Sequence, residues 1–320
     1  MGHLVTVFGA SGFVGRHTVR ALAKEGWRIR AISRHPNLAN YLLPAGRVGQ
    51  IRIQKGNVLD DASVAAALVG ADAVVNLAGV LYCSGENSFE AVHVDAAKRI
   101  GRLAREAGVK SLVHLSGIGA DKDAKSHYAQ SKGLGEIKVR EEFPQATILR
   151  PSLVFGPEDE FFNKFAWLAR YLPVLPLLGG GHTKFQPVYV GDIAAAIVRV
   201  LNDSGTQGKT YELGGPAIFT FKKLLQIILH ETGRTATLLP WPFFLASINA
   251  FFLGMLPKPL LTMDMVRLLQ SDNVVSDGAL TLGDLGIVPD AVEAVVPSYL
   301  WRFRAKGQFE EIVSASANTQ

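Results

Sequence analysis

The chain has 320 residues, 48% of them hydrophobic and 19% charged, enough apolar material for one large core and a smaller one beside it. Its one cysteine, Cys83, excludes an internal disulfide framework and fits a reducing compartment, and no cysteine/histidine group has metal-ligand spacing, so no metal site is expected. The net charge of +5 is modest and its basic residues are dispersed, which argues against nucleic-acid binding.

The first residues, "MGHLVTVFGASG", enter a strand at once, without the basic stretch and apolar run of a secretory signal. Strand-length apolar runs follow at 4–9, 28–33, 51–56, 72–79, 111–117 and 146–151. Helical stretches lie between them at 12–26 and 61–70, from about Phe89 to Ala107, and from about Ser126 to Glu142. This alternation predicts an α/β fold, a doubly wound parallel Rossmann sheet. After Pro151 the composition turns to Gly, Pro and aromatics. "FQPVYVGDIAAAIVRVLN" reads as one more strand–helix unit with Asp192 as the helix cap, and "KTYELGG" as a further strand. From Phe219 onward helices are expected to dominate, with frayed residues at the end. The expected organisation is a dinucleotide-binding domain over 1–155, continued by strand–helix units at about 185–215. Segments 156–184 and 216–320 would form a smaller, mostly helical C-terminal lobe.

"VTVFGASGFVGRHTVRAL" places glycines at 9, 12 and 15 between a strand and a helix. Gly9 permits the tight turn, Gly12 lets backbone approach a pyrophosphate, and Gly15 lets the helix pack on the strand. The helix N-terminus at Ser11, Gly12, Phe13, Val14 and Gly15 would offer its N–H groups to the phosphates. At the end of the second strand "AISRHP" has Ser33 and Arg34 but no carboxylate to accept from a ribose 2′-hydroxyl. Arg34, helped by Arg16, suits a 2′-phosphate, so NADP(H) is expected ahead of NAD(H).

"SHYAQSKGLGE" sets Tyr128 four residues before Lys132, on one helix face. A cation beside a phenol favours the phenolate, so the pair can move protons for a carbonyl reduction or simply hold a sugar hydroxyl. His93, His114 and His127 read as scattered, and Cys83 as an inert thiol in a loop. Glu158 and Asp159 read as solvated loop charges. "WPFFLASINAFFLGMLPKPLL" (241–261) carries one charge, and the 14 residues between Pro242 and Pro257 span only about 21 Å as helix. That is too short for a hydrocarbon core of ~30 Å. It is either a buried helix roofing the small lobe or an apolar face for a partner subunit or lipid headgroups.

"GASGFVG", "GNVLD", "NLAG", "HYAQSK" and "RPSLVFGPED", in this order over roughly residues 3–215, resemble the extended and atypical short-chain dehydrogenase/reductase superfamily. The resemblance implies that Asn57 and Val58 flank the adenine and that Leu77, Ala78 and Gly79 line the cofactor. It further implies that Tyr128 and Lys132 bind the nicotinamide ribose and that Pro151 to Leu153 meet the nicotinamide. Ser116, at the end of the fifth strand, stands where a carbonyl-orienting hydroxyl would serve catalysis. Gly117 and Ile118 follow it, where many extended members place that hydroxyl. "FGPEDEFFNKFA" and "FQPVYVGDIA" narrow the likeness to the nucleotide-binding accessory subunits of respiratory complex I, the NADH:quinone oxidoreductase, in a bacterial form. That likeness implies a structural NADP(H) near the membrane-arm junction, partners among the complex's subunits, and a peripheral place on the cytoplasmic side of the inner membrane. The alternative is a free-standing NADPH-dependent reductase, epimerase or dehydratase that turns over at Tyr128 and Lys132.

Overall fold

The computed structural model describes residues 2–254, 256, 259, 261–305 and 307. Lys258 and the C-terminal residues expected to fray lie outside these. From the N-terminus, β1 (Leu4–Phe8), α1 (Phe13–Lys24), β2 (Arg28–Ser33), β3 (Ile51–Lys55), α2 (Asp61–Leu68) and β4 (Ala73–Asn76) alternate. A π-helical stretch (Glu90–Asp95) then runs into α3 (Ala96–Glu106), followed by β5 (Ser111–Leu115), α4 (His127–Glu142) and β6 (Thr147–Pro151). The fourth strand stops at Asn76 rather than continuing to Gly79, because the Asn76 side chain accepts the Ala78 N–H at 3.1 Å and turns the chain.

Beyond β6 come β7 (Val154–Phe155), α5 (Phe161–Tyr171), β8 (Val174–Leu178), β9 (Lys184–Phe185), β10 (Val188–Tyr189), α6 (Val190–Asn202) and β11 (Thr210–Leu213). The remainder holds β12 (Phe219–Thr220), α7 (Phe221–Thr232), β13 (Thr237–Trp241), α8 (Phe243–Leu253) and α9 (Met263–Leu268), with short helices α10 (Val292–Val295) and α11 (Pro297–Leu300).

Seven strands form one sheet in the order β11-β6-β5-β4-β1-β2-β3, with every pairing parallel. Parallel strands are covered on both faces and read as apolar runs, as "AVV" of β4 does before buried Asn76 ends the strand. On one face Val5, Val7 and Leu149 pack against Val19 and Leu22 of α1 and Ile193 and Ile197 of α6. On the other, Phe8, Val74, Leu112 and Ile148 meet Val64 of α2, Ile100 of α3 and Val139 of α4. A separate cluster gathers Phe155, Phe162, Leu177, Phe221, Leu224 and Ile228 with Tyr299 of α11.

Two expectations are corrected. The strand seen in "FQPVYVG" is broken into the end of β9 at Phe185, which pairs with β12, and the two-residue β10, which pairs with β7, both outside the main sheet; the added main-sheet strand is β11. Its outer edge is closed by the 280 region, where Glu212 N–H donates to the Leu280 carbonyl at 2.8 Å. Asp192 does not cap α6. The helix is preceded by Tyr189 without a side-chain cap bond, and Asp192 instead accepts the Asp290 N–H at 2.9 Å.

Candidate functional site

Strand order reverses between β1 and β4, so the loops leaving their carboxyl ends diverge and open a crevice there. The glycine loop occupies it. Gly9 has φ +76°, and a Cβ on it would lie 2.8 Å from the carbonyl carbon and oxygen of Leu77. A Cβ on Gly15 would lie 2.1 Å from the Gly9 carbonyl oxygen, so α1 can close on β1 only with glycine there. Gly12 starts α1 in extended conformation, with no side-chain cap and no acidic residue in the first turn. The N–H groups that begin at Phe13 and Val14 therefore face outward beside a positive helix end.

At the β2 side of the crevice the Ser11 and Ser33 hydroxyls are 3.3 Å apart and Ser33 is buried. Arg34 is exposed and donates to Asn87 Oδ1 at 2.8 Å. The Tyr41 hydroxyl donates to the Ser11 carbonyl at 2.7 Å, with the Arg16 guanidinium 4.9 Å from its ring centre. Arg16 also lies 3.5 Å from Glu158, so its charge is partly engaged. Burial works to raise Glu158, but its hydrogen bond with His17 at 3.0 Å and the nearby Arg16 guanidinium outweigh that and hold it below the ordinary carboxylate range. Asn57 and Val58 follow β3; the Asn57 side chain accepts the Leu59 N–H, and Val58 packs on the α2–α3 face. The "GPEDE" charges are thus not merely solvated. Glu158 joins α1 to this loop, and buried Asp159 accepts from Tyr299 Oη at 2.7 Å and from the Gly156, Phe162 and Asn163 N–H groups.

Leu77, Ala78 and Gly79 run from the glycine loop toward the other end. A Cβ on Gly79 would lie 3.4 Å from Lys132 Nζ and 3.6 Å from His93 Nε2. Lys132 is buried and donates to the Leu115 carbonyl at 3.1 Å. A Cβ on Gly117 would lie 4.0 Å from the Tyr128 hydroxyl and 3.9 Å from the Pro151 carbonyl oxygen, which puts the end of β6 beside the phenol. Leu153 leans into the aromatic cluster beyond it.

Electrostatics here reverse one expectation. Desolvation pushes Tyr128 up to about 12; Lys132, whose Nζ is 5.9 Å from the ring centre, does not offset it. The lysine is itself brought down to about 8 by desolvation, with Glu136 opposing. The phenol is therefore a neutral hydrogen-bond donor at pH 7, beside a cation.

Two histidines read as scattered converge on this lysine. His93 takes the Val80 N–H on Nε2 at 3.0 Å, so its proton sits on Nδ1 and points to Ser131 Oγ at 2.8 Å, which donates on to the Tyr128 carbonyl. Its ring stands perpendicular to Tyr128 at 5.4 Å. Burial and the Lys132 charge bring His93 down to about 2 and His114 to about 3. His114 Nδ1 pairs with Asn76 at 3.0 Å, leaving buried Nε2 without a partner, and the Ser116 hydroxyl is likewise buried and unpartnered. The parallel β4–β5 register, Asn76 opposite His114, was the one available signal for this pair; nothing in the sequence marked His93, because only the close seating of α4 on the π-helical stretch brings it in. His127 stays exposed, outside the cluster, and Cys83 is exposed in its loop. Among the described residues no group of three His, Cys, Asp or Glu could hold a metal ion.

Grooves of about 400 and 350 Å3 lie against Glu136, Ile137 and Arg140 on α4 and between α1 and α6, and Tyr128 lines neither. The aromatic segment resolves toward exposure. In α8 only Ala246 and Ala250 are buried, while Phe244, Ile248, Phe251 and Phe252 are 66%, 53%, 58% and 63% exposed.

Residues 5–214 match the NAD dependent epimerase/dehydratase family. A mitochondrial NADH dehydrogenase [ubiquinone] 1 alpha subcomplex subunit 9 from Arabidopsis thaliana is 36% identical over 96% of this chain and 79% of its own. A ceramide reductase from Caulobacter vibrioides is 33% identical over 61% of this chain and 60% of its own. Among solved structures, a dTDP-glucose 4,6-dehydratase from Streptomyces venezuelae with NAD bound superposes with a TM-score of 0.72, covering 96% of this chain and 97% of that one. At 21% identity this is a likeness of fold. The chain belongs to the NAD dependent epimerase/dehydratase family, together with the alpha subcomplex subunit 9 proteins that it resembles over nearly its whole length.

Proposed function

We propose that the chain is an accessory subunit of a bacterial NADH:quinone oxidoreductase, peripheral on the cytoplasmic face of the inner membrane, that holds NADP(H) mainly as a structural element. The observation that carries this reading is the reach of the likeness. The family match ends at residue 214, whereas the NADH dehydrogenase relative is matched over 96% of the chain and therefore through the C-terminal lobe.

The site residues fit a dinucleotide. The uncapped N-terminus of α1 and the Gly9–Gly15 cradle take the pyrophosphate. Asn57 and Val58 flank the adenine, and Ser33 and exposed Arg34, with no carboxylate beside them, take a 2′-phosphate in preference to a bare hydroxyl. Leu77 to Gly79 line the middle of the path. Lys132 holds the nicotinamide ribose, and Tyr128, Pro151 and Leu153 border the ring. Buried, unpartnered Ser116 Oγ would gain a bond from a polar group placed there. A phenol held at about 12 anchors by hydrogen bonding and yields its proton poorly at neutral pH, so the Tyr128–Lys132 pair works as a clamp. The exposed face of α8 supplies a contact for lipid headgroups or a membrane-arm subunit.

The test is mass spectrometry of the protein purified natively from its own membranes. NADPH at about one per chain together with quinone-oxidoreductase subunits is the expected result. A partner-free chain that exchanges its nucleotide readily would overturn the reading.

The ceramide reductase likeness and the intact pair favour one second reading, an NADPH-dependent reductase, epimerase or dehydratase. In that case Tyr128→Phe abolishes turnover of a carbonyl or sugar substrate while nucleotide still binds.

A further inference from the structure

The first turn of α4 carries Tyr128, and the carboxylate that completes it comes from the far end of the chain. Asp264, in α9, accepts from the Ser126 hydroxyl at 2.8 Å, from the His127 N–H at 2.7 Å and from the Tyr128 N–H at 2.9 Å. Ser126 Oγ takes the Ala129 N–H at 3.3 Å, and the Gln130 N–H returns to the Ser126 carbonyl at 2.9 Å. Every donor at this helix end is thus satisfied, and three of them depend on Asp264. A carboxylate at a helix N-terminus also complements the positive end of the macrodipole. Asp264 is itself fixed, since Thr262 Oγ1 accepts the Met265 N–H at 3.2 Å and starts α9. The Tyr128 ring is bounded edge-on by Phe89 at 6.0 Å and His93 at 5.4 Å, so its placement is set by those rings and by the backbone root that Asp264 holds.

We propose that Asp264 is a positioning residue for the dinucleotide clamp: it seats the first turn of α4, and through it Tyr128, so that retention of the nucleotide depends on how the C-terminal lobe is docked. This rests on the reading of Tyr128 and Lys132 as that clamp. An amide at position 264 can accept one N–H while its NH2 group opposes another, so the substitution removes the charge and at least one of the three bonds with little change of volume.

The experiment follows NADPH release from the full chain by displacement with excess NADP+, for the wild type, Asp264→Asn, Tyr128→Phe and the double variant, with thermal unfolding of each nucleotide-free protein alongside. Asp264→Asn is expected to speed release about fivefold to tenfold. If it acts through the tyrosine, the double variant releases no faster than the faster single variant. A lowered unfolding temperature with unchanged release, or effects that multiply in the double variant, would make Asp264 merely structural and overturn the proposal. Should Asp264→Asn not fold, Ser126→Ala removes one partner of the same carboxylate; faster release supports the proposal and an unchanged rate overturns it. A wild type that holds no NADPH, or a Tyr128→Phe that releases it at the wild-type rate, would instead refute the clamp reading and take this inference with it.

Discussion

Lys132 keeps an ammonium where only 5% of the residue reaches solvent, and desolvation brings it down to about 8. The folded value lies below the unfolded one. Its contribution to stability is therefore present above the unfolded value and lost as pH falls through about 8. In the proposed role, a nucleotide ribose and its phosphates at Lys132 would reverse the preference by rewarding the charge. Dinucleotide affinity is accordingly expected to hold steady at neutral pH and to fall as pH rises past about 8, a limb that Lys132→Met removes along with most of the affinity. Fluorescence titration with NADPH from about pH 6 to about pH 10 checks this; an unchanged affinity over that range would place the charge elsewhere. Neighbouring His93 and His114 stay neutral throughout that range, because both titrate far below it.

Helices in this chain are joined to distant segments by buried carboxylates. Asp159 takes the Phe162 and Asn163 N–H groups at the start of α5 and receives the Tyr299 hydroxyl from α11. Glu136 of α4 and Glu212 of β11 hold Arg150 of β6 between them, with Arg150–Glu136 oxygen–nitrogen distances of 2.7 and 2.9 Å. Asp192 of α6 binds the Asp290 backbone, and burial raises it to about 6. A carboxyl whose folded value is raised contributes stability below its unfolded value, and that contribution is lost as pH rises through about 6. Asp192→Asn is therefore expected to flatten the stability profile between the unfolded value of 3.8 and about 6. It should raise stability at pH 7.5 by on the order of 1–2 kcal/mol, read from thermal or denaturant unfolding. Destabilisation at pH 7.5 would show that the carboxylate oxygen is worth more than its desolvation costs.

At the scale of the whole molecule, the glycine-lined crevice at the carboxyl ends of β1 and β4 coexists with an exposed aromatic helix in the C-terminal part. No helix among the described residues is long and apolar enough to cross a membrane. The 11 residues of α8 span only about 17 Å, half of a hydrocarbon core, yet its aromatics stand in solvent. With a net charge of +5, such a face suits an anionic interface. Replacing Phe244 and Phe251 together by Ser is expected to weaken flotation with anionic vesicles about a hundredfold or more, since each buried aromatic contributes roughly 1.5–3 kcal/mol. Nucleotide content should not change. Equal binding by variant and wild type would remove α8 as the contact.

Much of this was legible in the chain itself. The glycine spacing, the alternation of strand and helix through residue 151 and the Tyr128–Lys132 spacing are local patterns, and local patterns are written in neighbouring residues. They determined the parallel sheet and the tight glycine loop between β1 and α1, and they put Tyr128 and Lys132 on one helix. What touches Tyr128 was not legible, because its neighbours come from Phe89 and the π-helical stretch after it, from Gly117 beyond β5 and from a carboxylate 136 residues away, and such convergence has no sequence period. Nor did the sequence settle the direction of the tyrosine's pKa. Spacing put a cation near the phenol, but only the packed structure decided how much water remained, and desolvation outweighed the charge. The same holds for α8: its composition fits a buried helix and an interfacial one equally, and only tertiary packing left its aromatic face uncovered.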